Sequence, residues 1–193
     1  MVTAIGIAGS PRRNGNSNAL LSATLVGAAT EGATVATVHL NDLTFRGCQG
    51  CDRCSPGGYC VVSDPLSPVL AALRLADIWI LASPIYFDGV SGQMKLFYDR
   101  LRTFMTEDGQ TKPRLVGRRR AAIIVTSEAK PYDAYLTAVK SLSRYFGWMG
   151  DFGCVEVVCE GELGPVGAAA ADGGRIERAQ ALGRQLVADL RGG

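Results

Sequence analysis

The chain reads as a doubly wound α/β protein, a five-stranded parallel sheet in the order 2-1-3-4-5 with helices on both faces. Three observations predict it. Apolar, β-prone runs at residues 2–8, 34–40, 78–82, 121–126 and 154–159 alternate with helical patterns, which argues for right-handed β-α-β crossovers. The first, third and fourth runs are almost continuously apolar, as expected of strands covered on both faces. The 193 residues, 47% of them hydrophobic, suit a single domain spanning 1–193 with one substantial core.

The elements follow in order. Strand one runs into Gly9-Ser-Pro-Arg-Arg-Asn-Gly-Asn-Ser17, and a helix is expected over 17–30. Strand two carries the single histidine, His39, which rules out a two-histidine metal centre and reads as structural. A cysteine-rich loop at 46–61 leads to a helix at 65–75 and then to strand three. The helix expected at 92–105 places Met94, Phe97, Leu101 and Phe104 or Met105 on one face, the spacing of a core stripe. Arg118-Arg-Arg120 reads as a solvated approach to strand four. A helix at 132–146 precedes strand five, whose Cys154 and Cys159 read as core residues. Residues 161–174, rich in Gly and Ala, read as a loop. The last helix, 174–190, repeats Ile176, Ala179, Leu182, Leu186, Val187 and Leu190 at helical spacing.

With 20 basic and 18 acidic residues the charge is near balance, and no pull toward nucleic acid or a membrane surface is expected. No run has the length of a spanning helix, and residues 1–7 lack a signal-peptide pattern, so a cytoplasmic location is expected.

The first turn has the makings of an anion site. Ser10, Asn16 and Ser17 offer neutral donors, Arg12 a charged fork, and the following helix its N-terminus. The P-loop ending is absent, and Gly6, Gly9 and Gly15 miss the dinucleotide spacing. Hydroxyls, an amide and an arginine suit a monophosphate such as that of FMN. Past strand three, Ser83-Pro-Ile-Tyr-Phe87 lies at the same sheet edge, where Tyr86 and Phe87 can cover a planar ring.

Three stretches together resemble the NAD(P)H-dependent FMN reductase family of flavodoxin-like proteins, including its iron–sulfur flavoprotein branch. They are Gly-Ser-Pro-Arg-x-x-Gly-Asn-Ser at 9–17, Ser-Pro-Ile-Tyr at 83–86 and Ser-Gly-Gln-Met-Lys-x-Phe-x-Asp-Arg at 91–100. The resemblance implies a flavodoxin-like fold with FMN as cofactor. Its phosphate would lie on Ser10, Arg12, Asn16 and Ser17, and its ring on Ser83, Pro84, Ile85, Tyr86, Phe87 and the loop containing Ser127. That last loop departs from the family by carrying Glu128 and Ala129 where glycine is usual. Lys95, Asp99 and Arg100 match a helix that frames the site, and read as structural.

Cys48, Cys51, Cys54 and Cys60 are spaced C-x2-C-x2-C-x5-C, closer to ferredoxin spacing than to a zinc ribbon. Their position after strand two places them at the flavin edge. An iron–sulfur cluster such as [4Fe-4S], zinc and unmetallated thiols all remain open. The family implies electron transfer from NAD(P)H through FMN, with no side-chain acid or nucleophile required, to a small acceptor such as a quinone or flavin. The alternative is an electron carrier passing single electrons between FMN, a cluster and a protein partner. A homodimer or homotetramer is expected, since the fold leaves the ring's outer face open.

Overall fold

A computed structural model describes residues 1–54, 57–105 and 114–192. The elements are β1 (Thr3–Ala8), α1 (Asn16–Thr30), β2 (Thr34–His39), α2 (Ser67–Leu75), β3 (Ile78–Tyr86), β4 (Gly89–Val90), α3 (Gly92–Arg100), β5 (Arg120–Thr126), α4 (Asp133–Arg144), α5 (Phe146–Met149), β6 (Val155–Glu160), α6 (Ala168–Ala171) and α7 (Gly173–Arg191). The parallel sheet runs β2-β1-β3-β5-β6, and β4 pairs antiparallel with the end of β3. With the two-residue β4 set apart, this is the order the alternation predicts. β3 continues past Ala82 because Ser83 and Pro84 stay in register with Val125 and Thr126 of β5, while Ile85 and Tyr86 turn into the β4 hairpin.

Alternation along β3 divides the core. Trp79 and Leu81 face one side, where Trp79 packs on Phe104, Phe146 and Phe152 with ring centroids 5.0–6.1 Å apart. Its indole N–H donates to the Leu73 carbonyl at 3.0 Å. Ile78, Ile80 and Ala82 face the other side, under α1 and α7. Those two helices cross at glycines. A Cβ on Gly183 would lie 1.9 Å from the Thr24 carbonyl oxygen, and one on Gly27 would lie 2.0 Å from that of Gln180.

The predicted stripe of α3 is core: Met94, Phe97, Leu101 and Phe104 are all buried. Boundaries differ in places. α3 ends at Arg100 and continues as a 3-10 turn, Leu101–Phe104, and α4 gives way to α5 at Tyr145. The Gly/Ala stretch holds the short α6 as well as loop. Two readings are corrected. Arg119 is buried, not solvated, because its guanidinium caps the carbonyl end of α2 by donating to the carbonyls of Arg74 at 2.7 Å and Ala76, and it also donates to the Val116 carbonyl of its own segment. Cys154 is exposed just ahead of β6, whereas Cys159 is half-buried against the core and burial pushes its thiol pKa up. His39 is half-buried at the end of β2. Among the described residues no helix is long and apolar enough to cross a membrane.

Candidate functional site

The loops after β1, β3 and β5 leave adjacent strands at one edge of the sheet. After β1 the chain passes close under α3. Gly9 N–H donates to the Ala82 carbonyl at 2.7 Å, and a Cβ there would meet Met94 at 2.9 Å. Ser10 is buried, and its hydroxyl accepts from Arg12 N–H at 3.1 Å. The Arg12 carbonyl accepts from Gly15 N–H at 3.0 Å. The Asn18 amide pulls the carbonyls of Arg12 and Arg13 inward at 3.0 and 3.3 Å. These bonds occupy the loop carbonyls, and no side chain caps the N-terminus of α1. An uncapped helix start presents free N–H groups and the positive end of the helix dipole to an anion. Ser17 stands in this first turn, 1% exposed, with its hydroxyl buried and unpartnered. Such an orphan is free to donate to an acceptor from outside the chain. Arg12 is exposed beside the turn.

Asn16 is placed differently. Its Nδ2 donates to the carbonyls of Leu163 at 2.8 Å and Pro165 at 2.9 Å, and its Oδ1 accepts from Ala169 N–H at 3.0 Å. Only its backbone N–H belongs to the open helix start. Asn18 was absent from the sequence-derived set. An amide side chain in the first turn, within reach of the loop carbonyls, was the available signal.

The second loop is a two-residue hairpin in which Phe87 (φ 49°) and Asp88 (φ 62°) are both left-handed, the pattern of a type I′ turn. It presents Phe87 wholly exposed and Tyr86 45% exposed, with Pro84 and Ile85 half-buried behind them. Ser83 braces this loop: its hydroxyl accepts from Ser91 N–H at 2.9 Å and donates to the Pro84 carbonyl at 2.8 Å. Ser91, which opens the stretch 91–100 but was given no role from sequence, caps α3 and donates to the Gly9 carbonyl at 2.6 Å, tying the first two loops together. The hydroxyl of Tyr132 donates to the Asp88 carboxylate and links the third loop to the hairpin. Ser127 is half-buried and its hydroxyl donates to the Ala129 carbonyl at 2.7 Å, while Glu128 and Ala129 are exposed.

The cysteine loop leaves β2 at this edge, where Arg13 pairs with Asp42, but it does not stay there. It descends along α3: Gly47 lies against Leu96, and the Gly58 carbonyl accepts from Thr103 at 2.9 Å. Cys48, Cys51, Cys54 and Cys60 face one cavity of about 480 Å³, walled by Tyr98, Leu101, Met105, Tyr145 and Met149. No residue of the three edge loops lines it. The expectation of thiols beside the edge loops is thus corrected, because attachment to α3 carries them toward its far end. All four thiols are free, Cys48 and Cys51 exposed, Cys54 and Cys60 half-buried. Among the described residues no three Cys, His, Asp or Glu side chains stand at metal-binding spacing. The donor set itself, four thiols on one cavity, suits a soft metal or an iron–sulfur cluster. Hydrogen bonds from Arg53, backbone first, lower the Cys51 thiol pKa.

Arg100 closes the loop from beneath. Its fully buried guanidinium donates to the carbonyls of Arg46 (2.8 Å) and Val62 (3.1 Å), near the loop's two ends, and pairs with Asp64 at 2.8 Å. Burial works against the Asp64 carboxylate, but hydrogen bonds from Arg100 and Arg46 N–H hold its carboxyl below the usual range. Lys95 and Asp99 form an exposed pair one turn apart at 2.6 Å.

Residues 2–150 match the model of the NADPH-dependent FMN reductases. The chain belongs to that family. This flavin reductase homologue has the flavodoxin-like fold, and β6, α6 and α7 lie beyond the matched residues. It is 41% identical over 98 residues to an iron–sulfur flavoprotein of Methanocaldococcus jannaschii, covering 51% of each chain. It is 35% identical over 122 residues to one of Archaeoglobus fulgidus, covering 63% of this chain and 53% of that one. The chain spans about half the length of the curated relatives it matches. An FMN-dependent NADH-azoreductase from Bacillus anthracis, solved in complex with FMN, shares the fold at 16% identity with a TM-score of 0.67, covering 98% of this chain and 99% of that one.

Proposed function

We propose that the protein binds FMN at the carboxyl edge of the sheet and passes electrons from NAD(P)H to a small acceptor such as a quinone or free flavin. The observation that carries this reading is the uncapped start of α1 with the buried, unpartnered Ser17 hydroxyl inside it. Ser10, Ser17 and the first-turn N–H groups would hold the phosphate, with Arg12 supplying the countercharge. Residues 83–87 and Ser127 would hold the ring. Bound flavin supplies the redox chemistry, so the chain's task is to bind, orient and shield it. The exposed Tyr86 and Phe87 leave that side of the slot open, which suits completion by a second copy in a homodimer or homotetramer.

A second reading is favoured by four thiols on one cavity. Cys48, Cys51, Cys54 and Cys60 would hold an iron–sulfur cluster, and the protein would then relay single electrons to a protein partner. Anaerobic spectra before and after NADPH or NADH test the first reading. It expects a flavin band that bleaches and steady oxidation of the nicotinamide once a quinone is added. Bleaching without turnover would favour the carrier. Protein that takes up no FMN would remove both.

A further inference from the structure

We infer that Asn16 is a positioning residue, through which the anion turn depends on the segment 163–169 beyond the family match. The inference rests on the FMN reading above and deepens it.

Asn16 is 9% exposed, and both donors of its side chain are committed. An amide nitrogen carries two hydrogens, and both are spent, on Leu163 and Pro165 at 2.8 and 2.9 Å. Its oxygen accepts from the Ala169 amide at 3.0 Å, which also settles the orientation, since the flipped amide would set donor against donor. An anion at the turn therefore meets no free donor on this side chain. What Asn16 does is fix the first residue of α1 to the chain after β6. The same segment is fastened to the third loop, where Leu163 N–H donates to the Ser127 carbonyl at 3.0 Å. A continuous hydrogen-bonded path thus runs from the loop after β5, through Leu163 and Asn16, to the helix start beside Ser17. Breaking it frees the first turn to shift, and an anion site loses affinity when its donors are no longer held in place. Coupling of this kind is reciprocal, so an anion seated in the turn should steady residues 163–169.

The test compares FMN with riboflavin, which has the ring but no phosphate. Dissociation constants are measured for wild type, Asn16→Ala and Ala169→Pro. The proline removes the N–H that donates to Asn16, at a residue of α6 outside the turn itself, and its ring also strains the buried start of α6. Both variants should weaken FMN binding roughly tenfold, as for the loss of one to two hydrogen bonds, and leave riboflavin affinity unchanged. A general loss of stability would not alter that ratio. If Asn16→Ala shifts the ratio and Ala169→Pro does not, Asn16 touches the phosphate directly and the inference is overturned. If neither shifts it, the inference is also overturned. A wild type with no preference for FMN over riboflavin would instead defeat the phosphate-site reading itself. Should a variant fail to fold, hydrogen exchange on wild type decides. The Ala169 amide should exchange more slowly with saturating FMN but not with riboflavin, and equal rates would overturn the coupling.

Discussion

Arg100→Met probes what shapes the thiol cavity. Methionine keeps the buried stem and deletes the guanidinium, removing donors to the Arg46 and Val62 carbonyls and the partner of Asp64. Removing one member of a buried pair costs about 3–5 kcal/mol. Asp64 keeps backbone donors from Arg46 and Leu66, both at 3.1 Å, so the lower end, about 3 kcal/mol, is expected. At about 2–4 °C per kcal/mol for a chain of this size, melting falls by roughly 6–12 °C. The loop should open first, because its two ends lose their shared anchor. Urea unfolding measures the global term and the rate of reaction with Ellman's reagent the local one. Cys54 and Cys60, half-buried in the folded chain, should react faster in the variant. Arg100→Lys should not restore slow reaction, since one ammonium cannot span two carbonyls and a carboxylate. A loss below about 1 kcal/mol with unchanged thiol rates would refute the reasoning.

Gly183→Ala sets a methyl 1.9 Å from the Thr24 carbonyl oxygen and should cost about 3 kcal/mol, the upper range of overpacking. Gly147→Ala, with nothing within 4 Å of the new carbon, should be neutral or slightly stabilising in the same denaturant titration. Because the folded-state pKa of Asp64 is lowered, its contribution is complete above the unfolded value of about 3.9 and is lost as pH falls further, through the folded value. Unfolding curves of wild type and Asp64→Asn should therefore converge below about pH 4, and a constant gap down to pH ~2.5 would contradict this. Arg12→Ala should weaken FMN binding by about 1.5–3 kcal/mol, the range of a charge-assisted hydrogen bond. An unchanged dissociation constant by calorimetry would remove Arg12 from the site.

The buried strands and the core stripe of α3 were legible because each follows from a local pattern, uninterrupted apolar runs for the strands and three-to-four spacing for Met94, Phe97 and Leu101, and the strand order followed from their alternation with helices. The turn after β1 was legible as a polar strand-to-helix turn, since its residues are consecutive in the chain. What escaped depended on partners distant in sequence. Asn16 looked like one more donor beside Ser17, and only the return of residues 163–169 to the start of α1 shows where its amide points. Arg119 looked like surface charge until the carbonyl end of α2 met it. The cysteine spacing announced a cluster of thiols, but Arg100 and Thr103 on another element decide where that cluster lies. Ser91 stood inside the stretch 91–100 with no role of its own, and Tyr132 in no motif, because what each does is join one loop to another.

The central claim is that the open helix start at Ser17 is built for the phosphate of FMN. Its most direct test is the identity of flavin released from purified protein after incubation with equimolar FMN, FAD and riboflavin. The account predicts FMN alone, about one per chain given a single anion turn. FAD or riboflavin in equal measure, or protein that remains colourless, would contradict it.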